Sequence, residues 1–512
     1  MLASLRSAAV FGVEAYPVHV EVDVAFGLPH FSMVGLPDAT VRESRDRVRS
    51  AIRNSGFEFP HHRITVNLAP ADVRKAGSSF DLPIALGLLA TSGPLNRRCV
   101  DDTVIVGELS LDGAINGIRG VLPIAVGARR LGMKRLLLPP HNAAEASVVD
   151  GLDICIARSL AEAVEALNEP ERAKRADAAS IAMAARSDGE FDLADVRGQF
   201  LARRALEVAA AGAHNLLLTG PPGAGKTMLA RRLGSILPPL TFDEALECTA
   251  IHSVAGTLGA GQGLLSERPF RAPHHTISTV ALVGGGSIPR PGEISLAHHG
   301  VLFLDEMPEF DRRVLEVLRQ PLEEGHVSIA RAARTAVFPA RFVLVGAMNP
   351  CPCGFSGDGR RACRCTPVQI AKYQLRLSGP LRDRIDLIVD VPAVPVGAIV
   401  DGEAGESSAA VRERVIAARR AQHARYGDGE PRTNAALRGS YAAKFCRTDS
   451  KGRLLLRRAV ERLGLSARGY DRVLKVARTV ADLAGDDGIT SEHVAEALQF
   501  RVVEQGPRVG DV

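Results

Sequence analysis

Gly220-Pro221-Pro222-Gly223-Ala224-Gly225-Lys226-Thr227 follows the apolar run Leu216-Leu217-Leu218 and opens a helical pattern beginning near Met228. Strand, glycine loop and helix in that order are what a phosphate-binding loop of the GxxxxGK[ST] kind requires. Glycines lack Cβ atoms, so backbone N–H groups can wrap a polyphosphate while the new helix directs its positive end at it. Lys226 then reads as the side chain that reaches the β- and γ-phosphates, and Thr227 as a hydroxyl for Mg²⁺. A second stretch supplies the other half of such a site. Val301-Leu302-Phe303-Leu304-Asp305-Glu306 is a buried-strand run ending in two carboxylates, Asp305 for the metal and Glu306 to activate water. The pair predicts binding of ATP or GTP with Mg²⁺.

A chain of 512 residues exceeds one compact core and predicts two to four domains. Its 46% hydrophobic and 24% charged residues are ordinary for a globular protein. No apolar run approaches a membrane span and the N-terminus lacks a signal-peptide pattern, so a cytoplasmic protein without membrane partners is expected. The net charge of +5 is too dilute to argue for nucleic acid by itself. Of eight cysteines, Cys351, Cys353, Cys363 and Cys365 cluster, while Cys99, Cys155, Cys248 and Cys446 are scattered, which suits a reducing compartment better than a disulfide framework.

Working outward, residues 1–168 alternate strand-like and helix-like runs. Val18 to Val24 and Arg63 to Leu68 repeat with period two, and Asp81 to Ala90 is a small, apolar, buried helix. Residues 169–194 read as a linker. Residues 195–395 have the element order of an α/β nucleotide-binding domain. Residues 396–440 read as a connecting segment with a polar break from Gly402 to Ser408, and 441–512 as a helical lid. Within that lid, apolar positions from Leu454 to Leu463 and from Val473 to Leu483 mark two helices. A third is expected from Ser491 to about Phe500, capped by Thr490 or Ser491.

Further segments resemble parts of AAA+ ATPases. Arg341 to Pro350 is a strand ending in Asn349, where the sensor-1 residue of that class holds the attacking water. Gly379-Pro380-Leu381-Arg382-Asp383-Arg384-Ile385-Asp386 resembles the segment whose arginine serves a neighbouring subunit's nucleotide, which points to Arg384 and Arg382. Ser466-Ala467-Arg468 opens a helix in the manner of sensor 2. Together these resemblances imply a ring, because an arginine delivered from outside stabilises charge on the transferring phosphoryl group. The plainer alternative is that Arg384 and Arg468 pair with local acids, Asp383 and Asp386 in one case and Asp471 in the other.

A long insertion runs from about Ala255 to Ser295, and a hairpin-like stretch runs from His326 to Phe338. They resemble the helix-2 insert and pre-sensor-1 hairpin of the AAA+ clade that holds magnesium chelatases and replicative helicases. Pro273-His274-His275, Pro291 to Gly300, and Asn349-Pro350-Cys351-Pro352-Cys353-Gly354 bring the resemblance closer, to the magnesium chelatase-like YifB/ComM family over essentially the whole chain. That resemblance implies a hexameric ATPase acting on branched or single-stranded DNA, with branch migration during recombination or natural transformation as its activity. Arg331 and Arg334, at the hairpin tip, would face the pore and grip phosphates; a solvated turn is the other reading. His274, His275, His298 and His299 are read as packing or surface residues, since adjacent histidines rarely point at one ion.

The first 168 residues resemble the α+β proteolytic domain of Lon proteases. Lys75 to Asp81 lies where those enzymes carry the serine nucleophile, here Ser79, and Gly107 to Gly113 matches the strand before their catalytic lysine. By that resemblance the lysine position falls at about Leu122, within Gly120-Val121-Leu122-Pro123. Without an amine Ser79 has no obvious proton acceptor, so no peptidase activity is expected unless Lys75 or Lys134 substitutes in space. Cys351, Cys353, Cys363 and Cys365 could hold one Zn²⁺, or be four reduced thiols in a loop; four of eight cysteines within fifteen residues favours zinc. Three functions follow in order: a DNA motor, the ATPase subunit of a metal-chelatase-like complex, and a Lon-like protease.

Overall fold

The computed structural model describes residues 1–71, 75, 77–96, 100–176, 191–259, 261–286, 288–331, 334–359, 361–394, 404–427, 429 and 432–501. Much of the expected linker, Cys99, Gly402 in the polar break, and Ala332 and Ala333 of the hairpin lie outside these residues.

The N-terminal region is built on a seven-stranded mixed sheet. Its strands are β1 (Leu2–Phe11), β2 (Glu14–Ala25), β3 (His30–Val34), β4 (Arg63–Ala69), β5 (Thr103–Ile105), β8 (Arg135–Leu138) and β9 (Asp153–Ile156), in the order β3-β4-β2-β1-β5-β8-β9. A small ribbon, β6 (Glu108–Leu109) with β7 (Ile115–Asn116), stands apart. The period-two run in β2 does what its pattern demands: Val18, Val20 and Val22 are buried, while the residues between them face outward. Against that face lies the helix Asp81–Ser92, buried from Asp81 through Thr91, which is why it shows no polar stripe. Gly87 permits the approach, because a Cβ there would sit 2.6 Å from Cγ2 of Val22.

A second sheet carries the phosphate loop. Five parallel strands, β10 (Leu216–Thr219), β11 (Phe270–Arg271), β14 (Val301–Leu304), β17 (Val343–Met348) and β18 (Leu387–Asp390), run in the order β11-β14-β17-β10-β18. Strands β14 and β17 are buried throughout, as unbroken apolar runs in a covered parallel sheet should be. Two hairpins project from this layer: β12 (Gly284–Gly285) with β13 (Arg290–Pro291), and β15 (His326–Ala330) with β16 (Thr335–Pro339). Phe11 and Val13, from the β1–β2 turn, pack against the apolar cluster that includes β15 and β16.

Beyond β18 the chain is helical. The expected helices are present as Ser450–Leu463, Ala467–Ala484 and Ser491–Gln499, the last with Thr490 as N-cap. The segment read as a connection differs from expectation, for it contains the helix Ser408–Tyr426. Val411, Val415 and Ala418 of that helix are buried in the same apolar core as the phosphate-loop strand and the C-terminal helices. Its sequence hides this because arginines flank a narrow Val/Ala stripe. Those arginines are themselves structural: Arg412 Nε donates to the Ser235 carbonyl at 2.7 Å and Arg419 Nη2 to the Ala210 carbonyl at 2.8 Å.

Candidate nucleotide site

Parallel strands end together, so the residues just past β10, β14 and β17 share one rim. Register pairs Thr219 with Met348 and Leu304 with Gly346, and β17 stands between β10 and β14. Asn349 is therefore interposed between the phosphate loop and the acidic pair, a position that its distance in sequence does not reveal. Gly223 and Gly225 take left-handed backbone (φ 78° and 86°), and the helix Lys226–Ile236 begins immediately after them. The Lys226 ammonium donates to the carbonyls of Gly220 (2.6 Å) and Pro221 (3.0 Å) and to Oδ1 of Asn349 (3.2 Å). Burial lowers its pKa from the ordinary lysine value, against the pull of the Asp305 and Glu306 carboxylates.

Thr227 Oγ1 donates to Oδ2 of Asp305 at 2.6 Å, so the two oxygens expected to share Mg²⁺ already meet. Hard oxygen donors at the mouth of a glycine-lined cradle fit a magnesium nucleotide. Glu306 follows with φ 49°, a backbone region costly for a residue with a side chain. Its N–H donates to Oδ1 of Asp305 at 2.9 Å, which helps hold the turn, and its own side chain is 58% exposed.

Two residues join this rim that sequence reading did not assign to it. His275 Nδ1 lies 3.8 Å from Oε2 of Glu306, with its ring edge-on to Phe310. The reading of His275 as a packing or surface residue thus missed a neighbour of the acidic strand, which only the fold supplies. Gln199, also left-handed at φ 50°, donates from Nε2 to the Ala224 carbonyl at 2.7 Å, and its Oε1 is buried without a partner. The sequence signal available was its position just before the helix that precedes β10.

The arginines stand elsewhere. Arg384 and Asp386 precede β18, whose first residue pairs with Leu216 at the start of β10. They therefore lie at the opposite end of the sheet from the phosphate loop, about 13 Å away along a four-residue strand. Arg384 is ion-paired with Glu323 and donates to the Pro380 carbonyl at 2.5 Å. Arg468 lies 3.8 Å from Asp383, and Arg472 lies 3.5 Å from Asp386. Local pairing does occur, then, but with Glu323 and Asp383 as the acids for Arg384 and Arg468. Arg382 is half-buried on the short helix Gly379–Arg382.

The two hairpins touch at their tips. Arg331 Nε donates to the Gly286 carbonyl at 3.0 Å, which gathers exposed Arg331 and Arg334 with exposed Arg290, a residue the sequence reading passed over. The four clustered cysteines also come together, with all four sulfurs within 4.8 Å of one another. Glu247, His298 and His299 form a second compact group. Here the two adjacent histidines do share a partner, each Nε2 lying within 2.9 Å of Oε2 of Glu247. His298 Nδ1 accepts the Arg341 N–H at 3.0 Å, so its proton sits on Nε2 and the group is a closed hydrogen-bond network rather than a metal centre.

Among the described residues of the N-terminal region no comparable set of polar groups meets around Leu122. Leu122 is fully buried in the helix Val121–Arg130. Lys134 is held by Asp102 at 2.8 Å, and the Lys75 ammonium donates to the Pro70 carbonyl. Asp81 is buried and bound by Ser44 and by Arg47, whose Nε lies 2.7 Å away.

A phosphate loop, an acidic pair and a polar residue closing the strand between them define a AAA+ ATPase, a class that works on ATP with Mg²⁺. Residues 192–399 match the family model of magnesium chelatase subunit ChlI, residues 20–142 match that of the ChlI subunit of Mg-chelatase, and 405–501 match the ChlI C-terminal model. The chain is 47% identical over 511 residues to competence protein ComM of Haemophilus influenzae and 46% identical over 509 residues to the uncharacterized protein YifB of Escherichia coli. In both comparisons 98% of each chain is covered. It belongs to this magnesium chelatase-like family of YifB and ComM. The N-terminal region is also similar to Lon protease of Chloroflexus aurantiacus, 32% identical over 132 residues, which is 24% of this chain and 16% of that one. Among the described residues no helix is long and apolar enough to cross a membrane.

Proposed function

We propose that this chain is an ATP-driven DNA motor that assembles as a hexameric ring and drives branch migration in recombination or natural transformation. The observation that carries the reading is the meeting of two hairpin tips that gathers Arg290, Arg331 and Arg334 on one exposed projection. Guanidinium groups so placed suit a sequence-independent grip on phosphates, as a motor needs. The high identity to a competence protein supports the same direction.

In this reading Lys226 swings from its loop carbonyls to the β- and γ-phosphates, and Asn349 and Glu306 hold and deprotonate the attacking water. Thr227 and Asp305 would hold Mg²⁺, which supplies charge neutralisation at the phosphates. Arg384 lies at the far end of the short strands from its own chain's phosphate loop, so in this reading Arg384 and Arg382 serve the neighbour in the ring, with Arg468 as the sensor-2 residue. Arg384 would exchange Glu323 for a γ-phosphate as the interface closes.

The test is ATP turnover with forked duplex DNA and, separately, with a tetrapyrrole-binding partner. DNA should raise turnover severalfold, with a steep loss as salt rises, and Arg331→Ala with Arg334→Ala should abolish the rise while leaving basal turnover unchanged. Stimulation by the tetrapyrrole partner alone would replace this reading with that of a chelatase motor subunit, which the ChlI matches keep in view. A protease is disfavoured because the Lon resemblance puts the needed amine at about Leu122, which is an apolar, buried residue.

A further inference from the structure

We propose that Cys351, Cys353, Cys363 and Cys365 bind a single Zn²⁺, and that the filled knuckle braces the phosphate loop and Asn349. The sulfur of Cys351 is 3.4 Å from that of Cys353 and 3.7 Å from that of Cys363, and Cys353 and Cys363 are 3.6 Å apart. A tetrahedral ion with Zn–S bonds of about 2.3 Å places its sulfurs about 3.8 Å apart, so Cys351, Cys353 and Cys363 already stand near the corners of one face, with Cys365 within 4.8 Å of each. A disulfide would bring two sulfurs to about 2.05 Å. An iron–sulfur cluster fills the space between its thiolates with irons and sulfides and needs them farther apart. Four soft donors without a carboxylate suit zinc and disfavour magnesium, calcium or manganese. Backbone N–H groups orient the ligands as an outer shell does, from Ser356 to Cys351 at 3.3 Å and from Cys365 to Cys363 at 3.4 Å.

Both ends of the loop reach the nucleotide site. At one end Gly354, with φ 85°, lies against the phosphate loop so closely that a Cβ there would be 2.6 Å from Cδ of Pro222 and 3.8 Å from Cγ of Asn349. At the other end Thr366 caps the helix Pro367–Gln374, whose buried Tyr373 hydroxyl meets the backbone of Asn349 and whose Gln374 donates to the Pro350 carbonyl at 3.4 Å. A metal that closes the loop thereby fixes the residue expected to hold the attacking water, and backs Pro222 on the outer side of the phosphate cradle.

The test uses the full chain purified without added metal. Elemental analysis should find one zinc per chain, and Co²⁺ in its place should give the visible bands of a tetrahedral thiolate site. Cys353→Ser with Cys363→Ser should lose the metal and cut ATP turnover about tenfold or more. Gly354→Ala should keep the metal yet raise the KM for ATP severalfold with a smaller change in kcat, a split that general unfolding does not produce. Zinc at a trace level beside four titratable thiols, or iron in its place, would overturn the metal. Unchanged ATP kinetics in Gly354→Ala with zinc retained would overturn the brace, even if the cysteine variant failed to fold.

Discussion

The N-terminal sheet and the phosphate-loop sheet carry likenesses to two enzymes, and among the described residues Lys226, Thr227 and Asp305 meet in the second while Lys75 and Lys134 are held by other partners in the first. In the phosphate-loop region Lys226, Thr227, Asp305, Glu306 and Asn349 converge on one rim through hydrogen bonds of 2.6–3.2 Å. In the Lon-like region the core is packed as tightly, with Val20, Val22, Leu82, Leu86 and Leu122 fully buried. Apolar packing preserves a fold without preserving chemistry, because chemistry depends on a few polar atoms whose loss costs the core nothing.

Paired substitutions should break the symmetry most visibly. Lys226→Ala is expected to reduce ATP turnover to background in a phosphate-release assay, whereas Ser79→Ala should change neither ATP turnover nor peptide cleavage, which stays absent. Cleavage of an unfolded substrate that Ser79→Ala stops would erase the contrast. Arg384→Ala should come next, lowering turnover by about 10³-fold with nucleotide affinity retained, since it removes charge stabilisation felt in the transition state. Full-rate hydrolysis by isolated protomers of that variant would show that the arginine serves no neighbour.

The third expectation separates packing from catalysis. Asp81→Ala leaves the Arg47 guanidinium without its carboxylate and should lower the stability of the N-terminal region by about 3–5 kcal/mol in chemical denaturation, with ATP turnover per folded molecule unchanged. The smallest effect concerns acid. Burial pushes the His298 pKa down to about 4, below the ordinary value of about 6.5, so the unfolded chain binds more protons between those values. Stability from this residue is complete above pH 6.5 and is lost as pH falls toward 4, and Glu247, also held low by its two histidines, slopes the same way. The loss should approach about 3 kcal/mol, and His298→Gln should flatten the curve of melting temperature against pH.

What the sequence disclosed follows from how local each signal is. The phosphate loop, the acidic strand, β2 and the helix Asp81–Ser92 declare themselves because their chemistry or periodicity lies within a dozen residues. His275 and Gln199 were not legible, because each reaches its place through tertiary contact across a strand order that spacing does not encode, and Arg290 was not because it matters only once Arg331 of the other hairpin reaches Gly286 beside it. The helix Ser408–Tyr426 was hidden by its arginines, whose hydrogen bonds to buried carbonyls look like surface charge when read as letters.

Lys226 and Arg384 stand at opposite ends of the same short strands, so a chain that loses one still owns the other. If those two ends act on different nucleotides, blending two individually dead populations, one without each residue, creates seams where an intact lysine meets an intact arginine, about a quarter of them by chance. Two broken parts should then make a partly working whole, a rescue open to a ring and closed to any enzyme that keeps its whole apparatus within one polypeptide.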